Sequence, residues 1–259
     1  MTTFIFPMAG ASSRFINAGY TQKKFMLELF GRPLFDAVLN GFARHFHTSS
    51  FVFVTQSTTD DVKEFVLARC QLLGLPADRI KVINLTTQTS GQAESVAIGL
   101  AKAKVALNSA IAIFNIDTIR HAFDFPEIIG SAPTAGYLEV FKGAGENWSF
   151  VEMGDEGLVR RVTEKQRISD LCSTGLYHFS EAGNFLDAFQ STAQIAAENL
   201  QGGERYVAPL YNNLIAKGLP VRFHCIAREE LVFCGIPQEY EDALERWDIE
   251  TFNKFTGLG

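Results

Sequence analysis

The sequence predicts an α/β fold, with a mostly parallel sheet flanked by helices and a mixed-sheet extension in the C-terminal half. Two observations support this. Short apolar runs alternate with helical patterns over the first half, an order typical of parallel β-α-β units with right-handed crossovers. After Ala135 the pattern changes to closely spaced strands, and Asp155-Glu156-Gly157 is typical of a hairpin turn.

Each predicted element rests on an apolar run or on apolar residues at helical spacing. In the first half, the expected strands cover residues 4–8, 51–54, 80–83 and 111–114, and the expected helices cover 34–46, 60–73 and 93–103. In the second half, strands are expected at 137–141, 150–153, 158–163, 174–179 and 221–226, and helices at 182–189, 207–217 and from 237 onward. The sequence shows no internal repeat, and no clear linker separates the two halves. We therefore expect one domain over residues 1–259, with halves at 1–134 and 135–259.

Composition narrows the class of protein. The chain has 259 residues, of which 47% are hydrophobic and 20% charged, which is ordinary globular usage and excludes a disordered chain. A net charge of −6 argues against a broad basic surface for nucleic acid. We find no apolar stretch that predicts a membrane span and no pattern of a signal peptide, so a cytoplasmic protein is expected.

Two residue types stand out in number or spacing. The four cysteines, Cys70, Cys172, Cys225 and Cys234, lack metal-ligand spacing and suggest no disulfide framework. We expect them to be buried thiols. The 23 phenylalanines are many for this length, and we expect most of them to fill the core.

The loop after the first strand is the strongest functional signal. Ala9-Gly10-Ala11-Ser12-Ser13-Arg14 consists of small residues next to a cation, so its backbone N–H groups can approach an anion closely. Lys23 and Lys24 follow, and a helical pattern begins only after Gly31-Arg32-Pro33. The loop matches neither a P-loop nor G-x-G-x-x-G. It can be either a triphosphate site or an ordinary turn.

Asp117 and Gln92 are two further candidate ligand-binding residues, each of which also has an ordinary structural interpretation. Asn115-Ile116-Asp117 follows a buried strand, where a carboxylate can hold Mg²⁺ or cap a following helix. Gln92, in Thr89-Ser90-Gly91-Gln92-Ala93, can hydrogen-bond a nucleobase edge or be a solvated residue at a helix start. The carboxyl ends of parallel strands bind ligands, and both motifs are expected there.

Several motifs in order resemble one family. Pro7-Met8-Ala9-Gly10-Ala11-Ser12-Ser13-Arg14-Phe15, then Ala18-Gly19-Tyr20-Thr21 and Lys24, resemble the signature of the nucleotidyltransferases, namely sugar-1-phosphate nucleotidyltransferases and their small cytidylyltransferase relatives. Ser12 stands where that family has a second glycine, and Lys23 and Phe25 replace the prolines that usually flank the lysine. The resemblance implies a Rossmann-like fold of the nucleotide-diphospho-sugar transferase type.

The resemblance also implies a role for each site residue. Arg14 and Lys24 would be catalytic, and Asp117 would bind Mg²⁺ as cofactor. The nucleotide-binding residues would be Met8, Ala9, Gly10, Ala11, Ser12, Ser13, Gly91, Gln92 and Asn115. The acceptor-binding residues would be Trp148, Glu164, Lys165, Gly175 and Glu204. In the sugar enzymes a second metal-binding aspartate often precedes a late Gly-Thr-Pro element, but in Phe233-Cys234-Gly235-Ile236-Pro237 the expected position is apolar.

The implied reaction joins an NTP, with CTP favoured over UTP, to a phosphorylated small acceptor and releases pyrophosphate. The acceptor can be a sugar-1-phosphate, phosphocholine, phosphoglutamine or a polyol phosphate, and the implied setting is capsule or other surface-polysaccharide synthesis. We expect no nucleic-acid or membrane partner, and leave a homodimer open. One alternative is a regulatory binding protein of the same fold. A glycosyltransferase would predict Asp-x-Asp, of which Asn115-Ile116-Asp117 has only the second aspartate.

Overall fold

A computed structural model describes residues 1–258, and its central feature is a nine-stranded mixed sheet. Seven strands follow the order β10-β9-β11-β6-β1-β4-β5, while β8 pairs with β11 and β12 pairs with β8. The strands are β1 Thr3–Pro7, β2 Glu28–Leu29, β3 Arg32–Pro33, β4 Ser50–Gln56, β5 Ile80–Leu85, β6 Ile111–Phe114, β7 Thr118–Arg120, β8 Gly136–Lys142, β9 Ser149–Met153, β10 Val159–Glu164, β11 Leu171–Phe179, β12 Val221–Ile226 and β13 Leu231–Phe233. The helices are α1 Ser13–Asn17, α2 Leu34–Asn40, α3 Asp61–Leu72, α4 Gln92–Ala103, α5 Ile128–Ser131, α6 Ala182–Ser191, α7 Tyr211–Ala216, α8 Pro237–Arg246 and α9 Ile249–Thr256.

The first half of the sheet is parallel, as the alternating pattern predicts. Strand β1 pairs in parallel with β4 and β6, and β4 pairs in parallel with β5. Such strands are covered on both faces, so their residues are apolar without alternation. Phe4 and Phe6 face a core with α2 and α3, whereas Ile5 faces a second core with α4 and α6. The α/β fold with helices on both faces is confirmed.

Phenylalanine fills the first of these cores. Phe4 stacks on Phe51 at a centroid distance of 5.1 Å and meets Phe42 edge-on at 5.2 Å. Edge-to-face and offset-stacked contacts of this kind add stability beyond the area buried. The expectation that phenylalanine builds the core is therefore confirmed.

Strand β11 connects the parallel half to the mixed extension. It runs antiparallel to β6 and β9 on one side and antiparallel to β8 on the other, since Cys172 pairs with both Phe141 of β8 and Phe150 of β9. The hairpin of β9 and β10 forms as expected, and β12 pairs in parallel with β8. The mixed-sheet extension is confirmed.

The structure corrects several local expectations. The helix expected at 34–46 ends at Asn40; Gly41 keeps helical dihedral angles, Phe42 departs from them with φ −103° and ψ +12°, and a 3₁₀ turn follows at Ala43–His45. Gly41 lies so close to Arg120 that a Cβ would be 2.2 Å from its carbonyl oxygen, so only glycine fits there. A helix begins as early as Ser13, and the helix expected at 207–217 opens with a 3₁₀ turn before α7. Strands β7 and β13, which pair with each other, were not anticipated.

Two further expectations concern the cysteines and the membrane. Cys225 lies exposed on β12, so the expectation of four buried thiols is wrong for this residue, while Cys70, Cys172 and Cys234 are buried. Within residues 1–258, no helix combines the length and the apolar character needed to cross a bilayer.

Candidate active site

The loop after β1 has a specific backbone conformation. The N–H of Met8 donates to the carbonyl of Val54 at 2.7 Å, and the Met8 side chain is only 2% exposed, so the open part of the loop begins at Ala9. Ser12 adopts φ +54° and ψ +30°, the left-handed region, and helix α1 starts directly after it. Glycine takes this conformation without strain, whereas serine is disfavoured there by about 1 kcal/mol.

Lys24 and Asp117 form the central ion pair of the site. The Lys24 Nζ lies 2.5 Å from Asp117 Oδ2, and the two side chains are 24% and 17% exposed. The Lys24 N–H also lies 3.5 Å from Ser12 Oγ, which ties the lysine to the loop. Between the two candidate lysines, the geometry thus places Lys24 with the aspartate.

The segment after Asp117 excludes one of its two interpretations, the helix cap. It continues as strand β7, Thr118–Arg120, so no helix begins there for Asp117 to cap. The Lys24 ammonium already occupies a cation position on this carboxylate. Mg²⁺ in proteins is usually bound by only one or two carboxylates, and substrate phosphates supply further oxygen ligands. The Asp117 carboxylate beside a nucleotide would provide such a set of ligands. The residues present therefore fit Mg²⁺.

The position expected to hold a second carboxylate is apolar in the structure as well. Phe233 is 8% exposed and packs against Trp148 at a centroid distance of 4.7 Å. The Glu239 carboxylate instead approaches from the first turn of α8, where its Oε2 accepts from the N–H of Gly235 at 2.8 Å. A Cβ on Gly235 would lie 3.3 Å from Asp117 Oδ2 and 3.4 Å from Glu239 Oε2. Burial raises the pKa of Glu239. Among the described residues, no cluster of three or more His, Cys, Asp or Glu could hold a metal ion.

An amide pair lies beside Asp117. Gln92 begins helix α4, and its Nε2 donates to Asn115 Oδ1 at 2.5 Å. Gly175 faces Asn115 from β11 with φ +90°, and a Cβ there would lie 2.6 Å from Asn115 Nδ2. The pairing of β11 with β8 shifts register between Ser173 and Tyr177, so Gly175 sits in an irregular part of β11, where its carbonyl accepts from the N–H of Asn115 at 3.3 Å.

Two cavities meet at these residues. The Trp148 cavity, of about 630 Å³, lies beside Arg14, Trp148, Gly175 and Phe233. The loop cavity, of about 460 Å³, lies beside Ala9, Gly10, Ala11, Ser13, Lys24, Gly91 and Gln92. Asn115, Asp117 and Tyr177 line both. Two ligands can thus be held side by side, with the Lys24–Asp117 pair between them.

A solved structure with the same arrangement of elements decides the family. The crystal structure of a nucleoside-diphosphate-sugar pyrophosphorylase from Vibrio cholerae RC9 matches with a TM-score of 0.86 and 44% sequence identity, over 93% of this chain and 99% of that chain. The chain belongs to this nucleotidyltransferase family.

More distant nucleotidyltransferases share the fold alone. An inositol-1-phosphate CTP transferase from T. maritima has a TM-score of 0.71 at 13% identity, over 99% of this chain and 94% of that chain. A UTP-bound UGPase from Acinetobacter baumannii has a TM-score of 0.69 at 15% identity, over 100% and 98%. No family model matches the chain, and no curated protein matches it.

The residues that the resemblance to nucleotidyltransferases assigns to the acceptor divide between the two cavities. Trp148 and Gly175 line the Trp148 cavity, while Glu164 and Glu204 line the loop cavity. Lys165 is exposed, and its Nζ donates to the hydroxyl of Tyr206 at 2.6 Å. The structure thus brings the acceptor residues near the nucleotide residues, but directs Lys165 to a side chain outside the predicted set.

Glu164 is not the solvated charge that its sequence context allows. It is 7% exposed and accepts a hydrogen bond from Ser149 Oγ, and burial raises its pKa. Burial, reinforced by Glu164, raises the pKa of Tyr177 to about 12. Because of this raised pKa, the Tyr177 hydroxyl stays protonated and neutral where the cavities meet. It lies 3.3 Å from Ser149 Oγ.

Sequence reasoning missed Tyr177, Tyr206 and Glu239. Tyr177 had a usable signal, because it lies two residues after Gly175 in the run Ser173-Thr174-Gly175-Leu176-Tyr177, and residues two apart on a strand share a face. Tyr206 had the same kind of signal, because it stands two residues after Glu204 in a run, Glu204 to Asn212, that resembles the family's late helix start. Glu239 had no such signal. Tyr206 and Glu239 reach the site from a loop and from a helix start that are distant in sequence.

Proposed function

We propose that the protein transfers a nucleotidyl group from an NTP to the phosphate of a small acceptor such as a sugar-1-phosphate, and releases pyrophosphate. CTP is the favoured nucleotide and UTP the second. The observation that supports this proposal best is the Lys24–Asp117 pair, which lies where two cavities of substrate size meet. The family membership supports the reaction type, and the geometry of the site supports the proposed roles of its residues.

The chemistry follows from this arrangement. An oxygen of the acceptor phosphate attacks the α-phosphorus, the bond from that phosphorus to the β-phosphate oxygen breaks, and pyrophosphate leaves with the electron pair. A phosphate nucleophile is ionised at neutral pH, so this reaction needs no general base. The chain's contribution is positioning and neutralisation of charge.

Two cations of the chain would share the neutralisation. Arg14 lines the Trp148 cavity and Lys24 lines the loop cavity, so they approach the junction from both sides. When a nucleotide enters, the Lys24 ammonium would turn from Asp117 to the triphosphate. Asp117 would then hold Mg²⁺, which when bound supplies further positive charge against the phosphates.

The preference for a pyrimidine rests on residues 90–92, termed the base turn. Gly91 and Gln92 line the loop cavity at the start of α4, and the turn that carries them is short. Gln92 donates one amide hydrogen to Asn115, which leaves its carbonyl oxygen and second hydrogen for a base edge. A purine would need a deeper pocket than such a turn provides.

The proposed setting is the synthesis of capsule or another surface polysaccharide in the cytoplasm. The partners would be the NTP and the phosphorylated acceptor. This setting agrees with a net charge of −6, which supplies no broad basic surface for a polyanion.

A screen of pyrophosphate release tests the proposal. Four NTPs are paired with sugar-1-phosphates, phosphocholine, phosphoglutamine and polyol phosphates in the presence of Mg²⁺. We expect release with CTP or UTP and one acceptor class, and a matching rise in thermal stability with that nucleotide. Tight nucleotide binding without release from any pair would refute the enzyme and favour a binding protein. A clear preference for ATP or GTP would refute the pyrimidine assignment.

A further inference from the structure

Residues 201–206, termed the bridging segment, contact both the base turn and the strand that carries the acceptor residues. The segment precedes the 3₁₀ turn that leads into α7. The segment is not part of any strand, yet its residues Glu204 and Tyr206 line the loop cavity. Its contacts at the two ends are of different kinds.

At the base turn the contacts are made by the backbone. The N–H of Arg205 donates to the carbonyl of Ser90 at 3.0 Å, and the N–H of Ala93 donates to the carbonyl of Arg205 at 2.8 Å. Gly91 lies between these bonds with φ +144°, and a Cβ there would be 2.6 Å from the Arg205 nitrogen. The two backbones are thus in direct contact, and Arg205 cannot shift without moving the turn that would bind the base.

At the acceptor strand the contacts are made by side chains. Gln201 Oε1 accepts from the N–H of Glu164 at 2.9 Å. Tyr206 accepts from the Lys165 ammonium at 2.6 Å, and the same ammonium lies 4.6 Å from the centre of its ring. Gly202 packs so closely that a Cβ would lie 2.9 Å from the Tyr206 ring and 3.3 Å from Glu164 Cγ.

Lys165 is held in an uncommon conformation. Its φ is +53°, in the left-handed region that a lysine occupies only under constraint from its surroundings. Its backbone N–H donates to Trp148 at 2.9 Å, and its ammonium is fixed by Tyr206. An ammonium has three donors, so two remain for the oxygens of an anionic acceptor.

We propose that Tyr206 is a positioning residue for Lys165, and that the bridging segment couples nucleotide binding at the base turn to acceptor binding at Glu164 and Lys165. The proposal rests on the proposed function for the identity of the two ligands. A base bound at Gly91 and Gln92 fixes Arg205, and the next residue, Tyr206, then fixes the lysine. Such coupling is reciprocal, so a bound acceptor also strengthens nucleotide binding.

Amide hydrogen exchange tests the coupling without turnover. The ligand is Mg²⁺ with an α,β-methylene analogue of the NTP that gives the largest thermal shift. In the wild type, the analogue should slow exchange in 201–206 and also in 163–166. The Tyr206→Phe variant keeps the ring and removes the hydroxyl, so it should retain the first effect and lose the second. Tyr20→Phe, which removes a hydroxyl bonded to Glu241 at 3.0 Å, is the matched control and should behave as wild type.

Kinetics supply a second readout. Loss of a hydrogen bond to a charged group predicts an acceptor KM about tenfold higher in Tyr206→Phe, with kcat within about twofold of wild type. Retained protection of 163–166 in Tyr206→Phe, or an equal loss in Tyr20→Phe, would overturn the proposal. If no acceptor supports turnover in the wild type, the proposed function fails, while the exchange comparison still decides the role of Tyr206.

Discussion

Replacement of Lys24 by alanine is the sharpest test of the catalytic assignment. Lys24 is the cation bonded to Asp117 at the junction of the cavities, so it is the group best placed to meet charge that develops on the triphosphate. Loss of one such preorganised donor typically raises the barrier by about 3–4 kcal/mol, which lowers kcat/KM by about 10²–10³. The neighbouring Lys23 forms no ion pair within residues 1–258, so Lys23→Ala is the matched control and should stay near wild type.

The same substitution has a limited effect on folding. The pair is partly exposed, with side chains at 24% and 17%, so its contribution lies near the upper end of exposed ion pairs, about 1 kcal/mol. A pyrophosphate-release assay gives kcat/KM, and urea unfolding gives the stability change. Near-normal turnover of Lys24→Ala would refute the assignment, and damage confined to Lys23→Ala would show that the alignment on Gly19-Tyr20-Thr21 is displaced by one residue.

Three further predictions concern the metal, the acceptor strand and pH. Asp117→Asn keeps the shape but removes the charge, so it should abolish Mg²⁺-dependent turnover and preserve the fold; an unchanged Mg²⁺ titration would refute the metal role. Gly175→Ala should lower the free energy of unfolding by about 2 kcal/mol and impair turnover, because its φ is +90° and its Cβ would meet Asn115. Gly130→Ala, in helix α5 with open space around it, should be neutral or slightly stabilising in the same urea experiment. Burial lowers the pKa of His178 to about 4, so between pH 6.5 and 4 the unfolded chain binds a proton that the native chain excludes, and His178 should cost about 3 kcal/mol of stability by pH 4. His178→Phe should remove that loss in urea titrations at pH 7 and pH 4.5, and equal pH slopes for both proteins would contradict it.

Local pattern was sufficient for most of the sheet. Buried parallel strands such as β1 and β4 are continuous apolar runs, and the helices between them carry apolar residues at regular spacing, so both could be located from a few neighbouring residues. The loop that follows β1 was likewise visible, because small residues beside a cation are a local property.

Contacts between distant segments were beyond such reasoning. Strands β7 and β13 have three residues each and pair across more than a hundred positions, so neither shows a periodicity of its own. Gly41 after helix α2 is required by the close approach of Arg120, which is distant in sequence. In the site, Glu239 and Tyr206 became candidates only when the fold brought α8 and the bridging segment to the strand ends.

Strand β11 has a consequence for how such a molecule can move. All nine of its residues are buried, and it is held in the sheet by a ladder of hydrogen bonds to β6 on one side and to β8 on the other, with a register shift between Ser173 and Tyr177. Strands in a ladder are held about 4.8 Å apart, so the floor of the two cavities has a fixed spacing. Closure by rotation of two rigid lobes would require breaking that ladder. We therefore expect capture and release of ligands to involve the rims: the turn after β1, the segment 143–148 and the bridging segment. Structures with and without ligand should superimpose along β6 and β11 and differ at those rims.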